Sequence, residues 1–96
     1  MTKEEFEADC MRTAARFLPD PRERSAFFML ALAEECAELQ KLVLKAIRHG
    51  SPIDTAALRE EAGDVLNVLC VTLADSGLSL EAAMVGDIDK RKRRGF

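Results

Sequence analysis

The chain's chemistry-capable residues are Glu34-Glu35-x-x-Glu38 and, further on, Glu61-x-x-Asp64. Carboxylates three or four residues apart share one side of a helix, so each motif presents several oxygens from a single face. Crowding like charges costs energy unless a cation sits between them. Oxygen-only ligand sets suit hard cations such as magnesium or manganese. The bland alternative is a solvated face, with these acids pairing with Lys41, Lys45 or Arg59. Helical wheels decide between the two. Around the first motif, Phe28, Ala31, Leu32, Leu39 and Leu42 form an inward stripe, with Glu35 inside it and Glu34 and Glu38 at its edge. Asp64 shares a face with Val68 and Val71, one and two turns later. Unpaired ionised carboxylates at such positions are costly or become protonated. The pattern therefore predicts a divalent metal held between two helices. Glu60, next to Glu61 but about 100° around the helix, is expected in solvent.

Other metal chemistries lack their parts. Ferritin-like di-iron bundles need ExxH pairs, and the single histidine, His49, stands beside Gly50 without one. It reads as a helix-dipole residue at a helix C-terminus and not as a ligand. No Ser-His-Asp, Cys-His or CxxC arrangement exists, and no glycine-rich phosphate loop follows a strand. A polyphosphate would complete the neutralisation of metals held by four or five acids, because magnesium binds carboxylate and phosphate oxygens together. Metal-assisted attack of water on phosphorus is the reaction that follows.

The elements that must position these acids are helices. Thr2 with Glu5 opens a first helix running to about residue 18, and Pro19-Asp20-Pro21 breaks it. A second helix starts between Arg22 and Ser25 and ends near His49, with Gly50 and Pro52 beyond. Asp54 caps a third, ending near Ser76 and Gly77, and Ser79 caps a fourth with Glu81 in its first turn. Strand alternation is absent, so the fold class is all-α: a four-helix chain with two long central helices, in one domain spanning residues 1–96. The run Val65–Ala74, VLNVLCVTLA, is apolar on every side. Such a helix is buried on every side, and four helices hardly suffice to surround one of their own. A homodimer or a dimer of dimers is expected.

Charge is unevenly distributed. Residues 1–89 carry nine Lys/Arg against seventeen Asp/Glu, whereas residues 90–96 carry five basic side chains and no acid. An acidic body argues against duplex nucleic acid as the main partner. Lys90 and Arg94, four apart, share a face if the helix persists. They could clasp phosphates presented by the metals, favour a helix C-terminus, or form a tail for nucleic acid. Cys10, Cys36 and Cys70 sit in apolar helical stretches and read as buried, reduced thiols. No signal peptide is evident and the longest apolar run is too short to cross a bilayer, so a cytoplasmic protein is expected. Any base stacking must use phenylalanine, with Phe27 and Phe28 the better placed, since Trp and Tyr are absent.

Taken together, EExxE at Glu34, Glu35 and Glu38, a gap of 22 residues, ExxD at Glu61 and Asp64 within LREEAGDVLNVL, and the terminal KRKRRGF resemble the MazG-like nucleotide pyrophosphohydrolases over about residues 25–96. The resemblance implies the all-α nucleoside triphosphate pyrophosphatase fold, working as a dimer or tetramer. It implies magnesium-dependent cleavage between the α and β phosphates, giving a nucleoside monophosphate and pyrophosphate. By that analogy Glu35, Glu38, Glu61 and Asp64 ligate the principal metal. Glu34 helps to hold another or orients water, and Glu34 or Glu38 takes the proton of that water. Lys90 and Arg94 match the family's K-x-x-x-R phosphate-binding element, while Asp87 stands where the family often has Asn. Asn67 is a hydrogen-bonding group for sugar or base, or else a polar helix-packing contact. Phosphoribosyl-ATP pyrophosphatase, the nearer competitor, usually shows Tyr-His shortly after the ExxD aspartate, where this chain has Asn67-Val68. The other competitor is a non-catalytic helical module that binds nucleotide or protein.

Overall fold

Each of the three expected caps forms, and Asp20, read from the sequence only as part of a break, supplies a fourth. Thr2 Oγ1 accepts the Glu5 N–H, Asp20 Oδ1 the Arg22 N–H, Asp54 Oδ1 the Ala56 and Ala57 N–H groups, and Ser79 Oγ the Ala82 N–H. They open helices α1 (Lys3–Phe17), α2 (Pro21–His49), α3 (Thr55–Asp75) and α4 (Leu80–Arg93) in a computed structural model that describes all 96 residues. There is no strand, and the fold is all-α as the sequence implies. One boundary differs. Pro21 belongs to α2 as its first residue and not to the preceding break, because a proline there gives up an N–H that has no helical partner anyway. Gly50 ends α2 in the left-handed conformation, φ +61°, and lets Ser51 N–H close back on the Ala46 carbonyl at 3.0 Å.

Helices α2 and α3 run antiparallel as the main pair, and α1 packs across α3. Their register follows the two inward stripes. Arg24 pairs with Asp75, Phe28 shares the core with Val68 and Val71, and Glu35 stands level with Glu61 and Asp64. The core is small: Cys10 and Ala14 from α1, Phe28 from α2, and Val68, Cys70 and Val71 from α3, with Val71 fully enclosed. Burial and the neighbouring Cys70 push the Cys10 thiol up to about 11, and burial raises Cys70 as well. Both remain neutral thiols at physiological pH. Cys36 departs from expectation: it is exposed, since it lies about 100° around α2 from the inward Glu35.

The chain leaves much apolar surface uncovered. Met29, Leu30, Leu44 and Ile47 on α2, and Met84, Val85 and Ile88 on α4, are all exposed. The apolar run of α3 is not enclosed on every side within one protomer, since Leu66 is 43% exposed. Its inward face alone is filled, because only α1 and α2 pack against it extensively. The radius of gyration, 15.5 Å, exceeds the ~12.5 Å of a compact chain of this length. Helix α4 contributes to that spread. It leaves α3 at a bend of 95° and is tied to α1 through Glu7, whose Oε2 accepts the Leu80 N–H at 3.1 Å. No single helix is long and apolar enough to cross a membrane.

Candidate metal centre

The acidic motifs meet where the stripes continue beyond the core. Glu35 lies two turns past Phe28 on α2, and Asp64 one turn before Val68 on α3, so the packing that fixes those apolar residues also fixes the acids. Glu35, Glu61 and Asp64 each bring a carboxylate oxygen to within 4.8 Å of the other two. None has a cationic partner. The ion pairs of the chain are Asp9–Arg12, Arg24–Asp75, Glu38–Lys41 and Asp87–Arg91. Of the pairings a solvated face would make, only Glu38–Lys41 forms, at 3.6 Å; Glu34 and Asp64 are exposed but unpaired, and Glu35 and Glu61 are half-buried.

The donor set fits a hard divalent cation. Oxygens bound to one magnesium ion at about 2.1 Å stand roughly 3–4 Å apart, so a small side-chain adjustment closes the three carboxylates on an ion. Electrostatics point the same way. Burial raises the Glu35 carboxyl above its ordinary range, and the charges of Asp64, Glu61, Glu38 and Glu34 raise it further. A carboxyl with a raised folded value stabilises the metal-free fold at low pH and loses that contribution as pH climbs through the raised value. Cation binding requires the opposite, ionised form. The thermal stabilisation given by magnesium or manganese is therefore expected to grow from about pH 5 to about pH 8, with proton release on binding. An increment in unfolding temperature that is the same at both ends would contradict this coupling.

Around this centre the remaining candidates are placed as follows. Glu34 is exposed, one residue from Glu35. Glu38 stands on the same face as Glu35, one turn on, and is half exposed. Glu60 is in solvent as expected. Asn67 is exposed one turn beyond Asp64, and so is not a packing contact inside its own protomer. Phe28 is committed to the core and is no stacking surface. Phe27 is partly exposed and edge-packed between Phe17 and Phe28, with centroids 5.3 and 5.4 Å away. His49 is the last residue of α2 and exposed, in keeping with a residue placed at a helix end. Lys90 lies in the last turn of α4 and Arg94 caps that helix, both in solvent and neither ion-paired with the acidic cluster.

One pair essential to the frame is absent from the sequence reading. Arg24 is buried and donates from Nε to Asp75 Oδ2 at 2.9 Å and from Nη2 to Asp75 Oδ1 at 2.7 Å. Its Nη1 donates to the Leu18 and Pro19 carbonyls at 3.0 and 3.3 Å. A single side chain thus locks the register of α2 on α3 and satisfies the end of α1. The signal was present: continuing each inward stripe by one turn past Phe28 and Val71 reaches Arg24 and Asp75, of opposite charge.

Four helices that set a carboxylate cluster without cationic partners between two antiparallel members offer oxygen donors of the kind a hard divalent cation takes. The family model of the MazG nucleotide pyrophosphohydrolase domain matches residues 24–95, and the chain belongs to that family. No curated protein and no solved structure matches it.

Proposed function

We propose that the protein is a magnesium-dependent nucleoside triphosphate pyrophosphohydrolase, with manganese able to substitute. It cleaves ribo- or deoxynucleoside triphosphates between the α and β phosphates, giving a monophosphate and pyrophosphate. It acts in the cytoplasm as a homodimer or dimer of dimers, clearing nucleotides from the pool. The observation that carries this reading is the convergence of Glu35, Glu61 and Asp64 without a single cationic partner. A structural or protein-binding role gives no reason to keep three unpaired carboxylates together, one of them held at a raised ionisation range.

In this reading Glu35, Glu61 and Asp64 would hold the principal cation, with Glu38, one turn on from Glu35, as a further ligand. A divalent cation held by these carboxylates would supply charge neutralisation at the phosphates and a more acidic water. The residues of the chain do the rest. Glu34 or Glu38, both solvent-accessible at the edge of the cluster, accepts the proton of the attacking water. Asn67, exposed beside Asp64, hydrogen-bonds sugar or base. Lys90 and Arg94 neutralise the departing pyrophosphate. The excess apolar surface on α2, α3 and α4 supports the oligomer.

The test is pyrophosphate release with magnesium across ribo- and deoxynucleoside triphosphates, with phosphoribosyl-ATP included. Turnover of one or more triphosphates, abolished by chelation, is the expected result. Turnover of phosphoribosyl-ATP alone, or none at all, would replace the proposal with the histidine-pathway activity or a binding module.

A further inference from the structure

Where α2 turns into α3, outside the acidic centre, the chain forms a recess of about 250 Å³. Its floor is apolar, from half-buried Leu42 and buried Ala46, and its rim carries Lys45, His49, Ser51 and Asp54. The volume falls just below the range of whole small-molecule sites, so the recess suits one part of a ligand. Glu35, Glu38, Leu42, Lys45 and His49 recur every three or four residues and share one face of α2. The recess therefore continues the face that carries the acids. At 1.5 Å per residue, Lys45 stands about 11 Å beyond Glu38. A nucleotide whose α-phosphate is held at the acids reaches that far with its ribose and base. The exposed apolar Met29 and Ile47 lie on the other side of α2, so an oligomer that covers them leaves the recess open.

The polar groups of the rim are unspent. Neither Lys45 nor His49 belongs to any of the four ion pairs. Asp54 Oδ1 caps α3 by accepting the Ala56 and Ala57 N–H groups, which leaves Oδ2 free to accept elsewhere. One ammonium group and one carboxylate oxygen thus stand around the flat ring of His49. An anion would meet Asp54 there as well as Lys45, and an apolar ligand would match neither. A planar group with N–H donors and a carbonyl on one edge matches both.

We infer that this recess takes the base of the nucleotide and selects guanine, an inference that rests on the hydrolase reading. Guanine carries a carbonyl beside two N–H donor groups on its Watson–Crick edge. Adenine and cytosine carry one donor group beside a ring acceptor, and uracil and thymine a single N–H between two carbonyls. Lys45 donates to the guanine O6, and Asp54 Oδ2 accepts from the N1–H or the exocyclic amino group. His49 supplies the ring against which the base stacks. Phe28 is in the core and Phe27 is edge-packed, so the histidine takes the place expected for a phenylalanine. Asn67, three residues to the other side of Asp64, is left to the sugar.

Two measurements test this, one of them without turnover. The kcat/KM for guanosine triphosphate is expected to exceed that for inosine triphosphate, which lacks only the amino group, by roughly tenfold, the worth of one hydrogen bond to a charged acceptor. In Asp54→Asn that ratio is expected to fall to about one without a change in unfolding temperature. Asparagine caps a helix as well as aspartate does, but turns a donor towards the recess in place of the free carboxylate oxygen. Lys45→Met is expected to act on KM for guanosine triphosphate more than on kcat. Equal turnover of guanosine and inosine triphosphates by the wild-type protein would overturn the inference and leave the hydrolase reading standing. The second measurement follows the ring protons of His49, the chain's single histidine, by proton NMR at fixed pH without metal. Guanosine monophosphate is expected to shift them saturably and at lower concentration than adenosine or cytidine monophosphate, and inorganic pyrophosphate to leave them in place. Such shifts in a protein that turns over no nucleotide would keep the recess as a guanine site and remove the hydrolase reading. Unmoved His49 signals, or equal shifts with pyrophosphate, would overturn the inference.

Discussion

Asp64→Asn is expected to lower metal-dependent turnover by roughly 10²–10³-fold, the equivalent of losing several kcal/mol of charge stabilisation in the transition state. The same change should leave the metal-free protein slightly more stable. Asp64 sits in a cluster where its charge helps to raise the Glu35 carboxyl, and its neutralisation relieves like-charge repulsion. A rise in unfolding temperature of about 1–4 °C corresponds to removing one such pair from a helical surface in a domain of this size. Stabilisation by added magnesium should vanish in the variant. This opposition between activity and stability separates a ligand from a structural acid. A variant that unfolds earlier and keeps its turnover would identify Asp64 as a packing residue and remove it from the centre.

The second large effect is on stability. Arg24→Ala, or Asp75→Ala, should lower the unfolding temperature by roughly 10 °C or more, measured at fixed protein concentration. Each single change leaves a buried charge without its partner, the case in which breaking an ion pair is most damaging. Arg24 also strands the Leu18 and Pro19 carbonyls when it is lost. The double change Arg24→Met/Asp75→Leu should recover most of the loss, since a buried pair exchanged for apolar side chains of similar volume is often neutral. Single variants within a few degrees of wild type would mean that the register of α2 on α3 is set by the apolar stripes alone.

Much of this frame is legible in the sequence, for a physical reason. Capping residues and helix stops act locally, so Thr2, Asp54, Ser79 and Gly50 could be read directly. The inward stripes are equally local, and following them sets Glu35 and Asp64 in one interface. The stripes also contained Arg24 and Asp75, but a charged residue at an inward position has meaning only once its partner 51 residues away is known. Side-chain direction was harder still. Glu38 lies on the correct face yet turns to Lys41, a choice between rotamers that spacing does not encode. Phe28 and its neighbour Phe27 look alike in sequence, and only the arrival of α1 and α3 assigns Phe28 to the core. The greatest gap concerns Lys90 and Arg94. Their helix is marked locally by its Ser79 cap, but the 95° bend that carries it away from the acids arises in the short turn after Asp75 and in the Glu7 contact to Leu80. Nothing within α4 itself records that direction.

The most direct test of the central claim is the identity of the products, followed by phosphorus NMR in oxygen-18 water with magnesium and the triphosphate that turns over fastest. The account predicts pyrophosphate and a nucleoside monophosphate, loss of both on chelation, and one new oxygen atom in a single product, consistent with one water attacking the α–β linkage. Orthophosphate and a nucleoside diphosphate would place the attack at the terminal phosphate and contradict it.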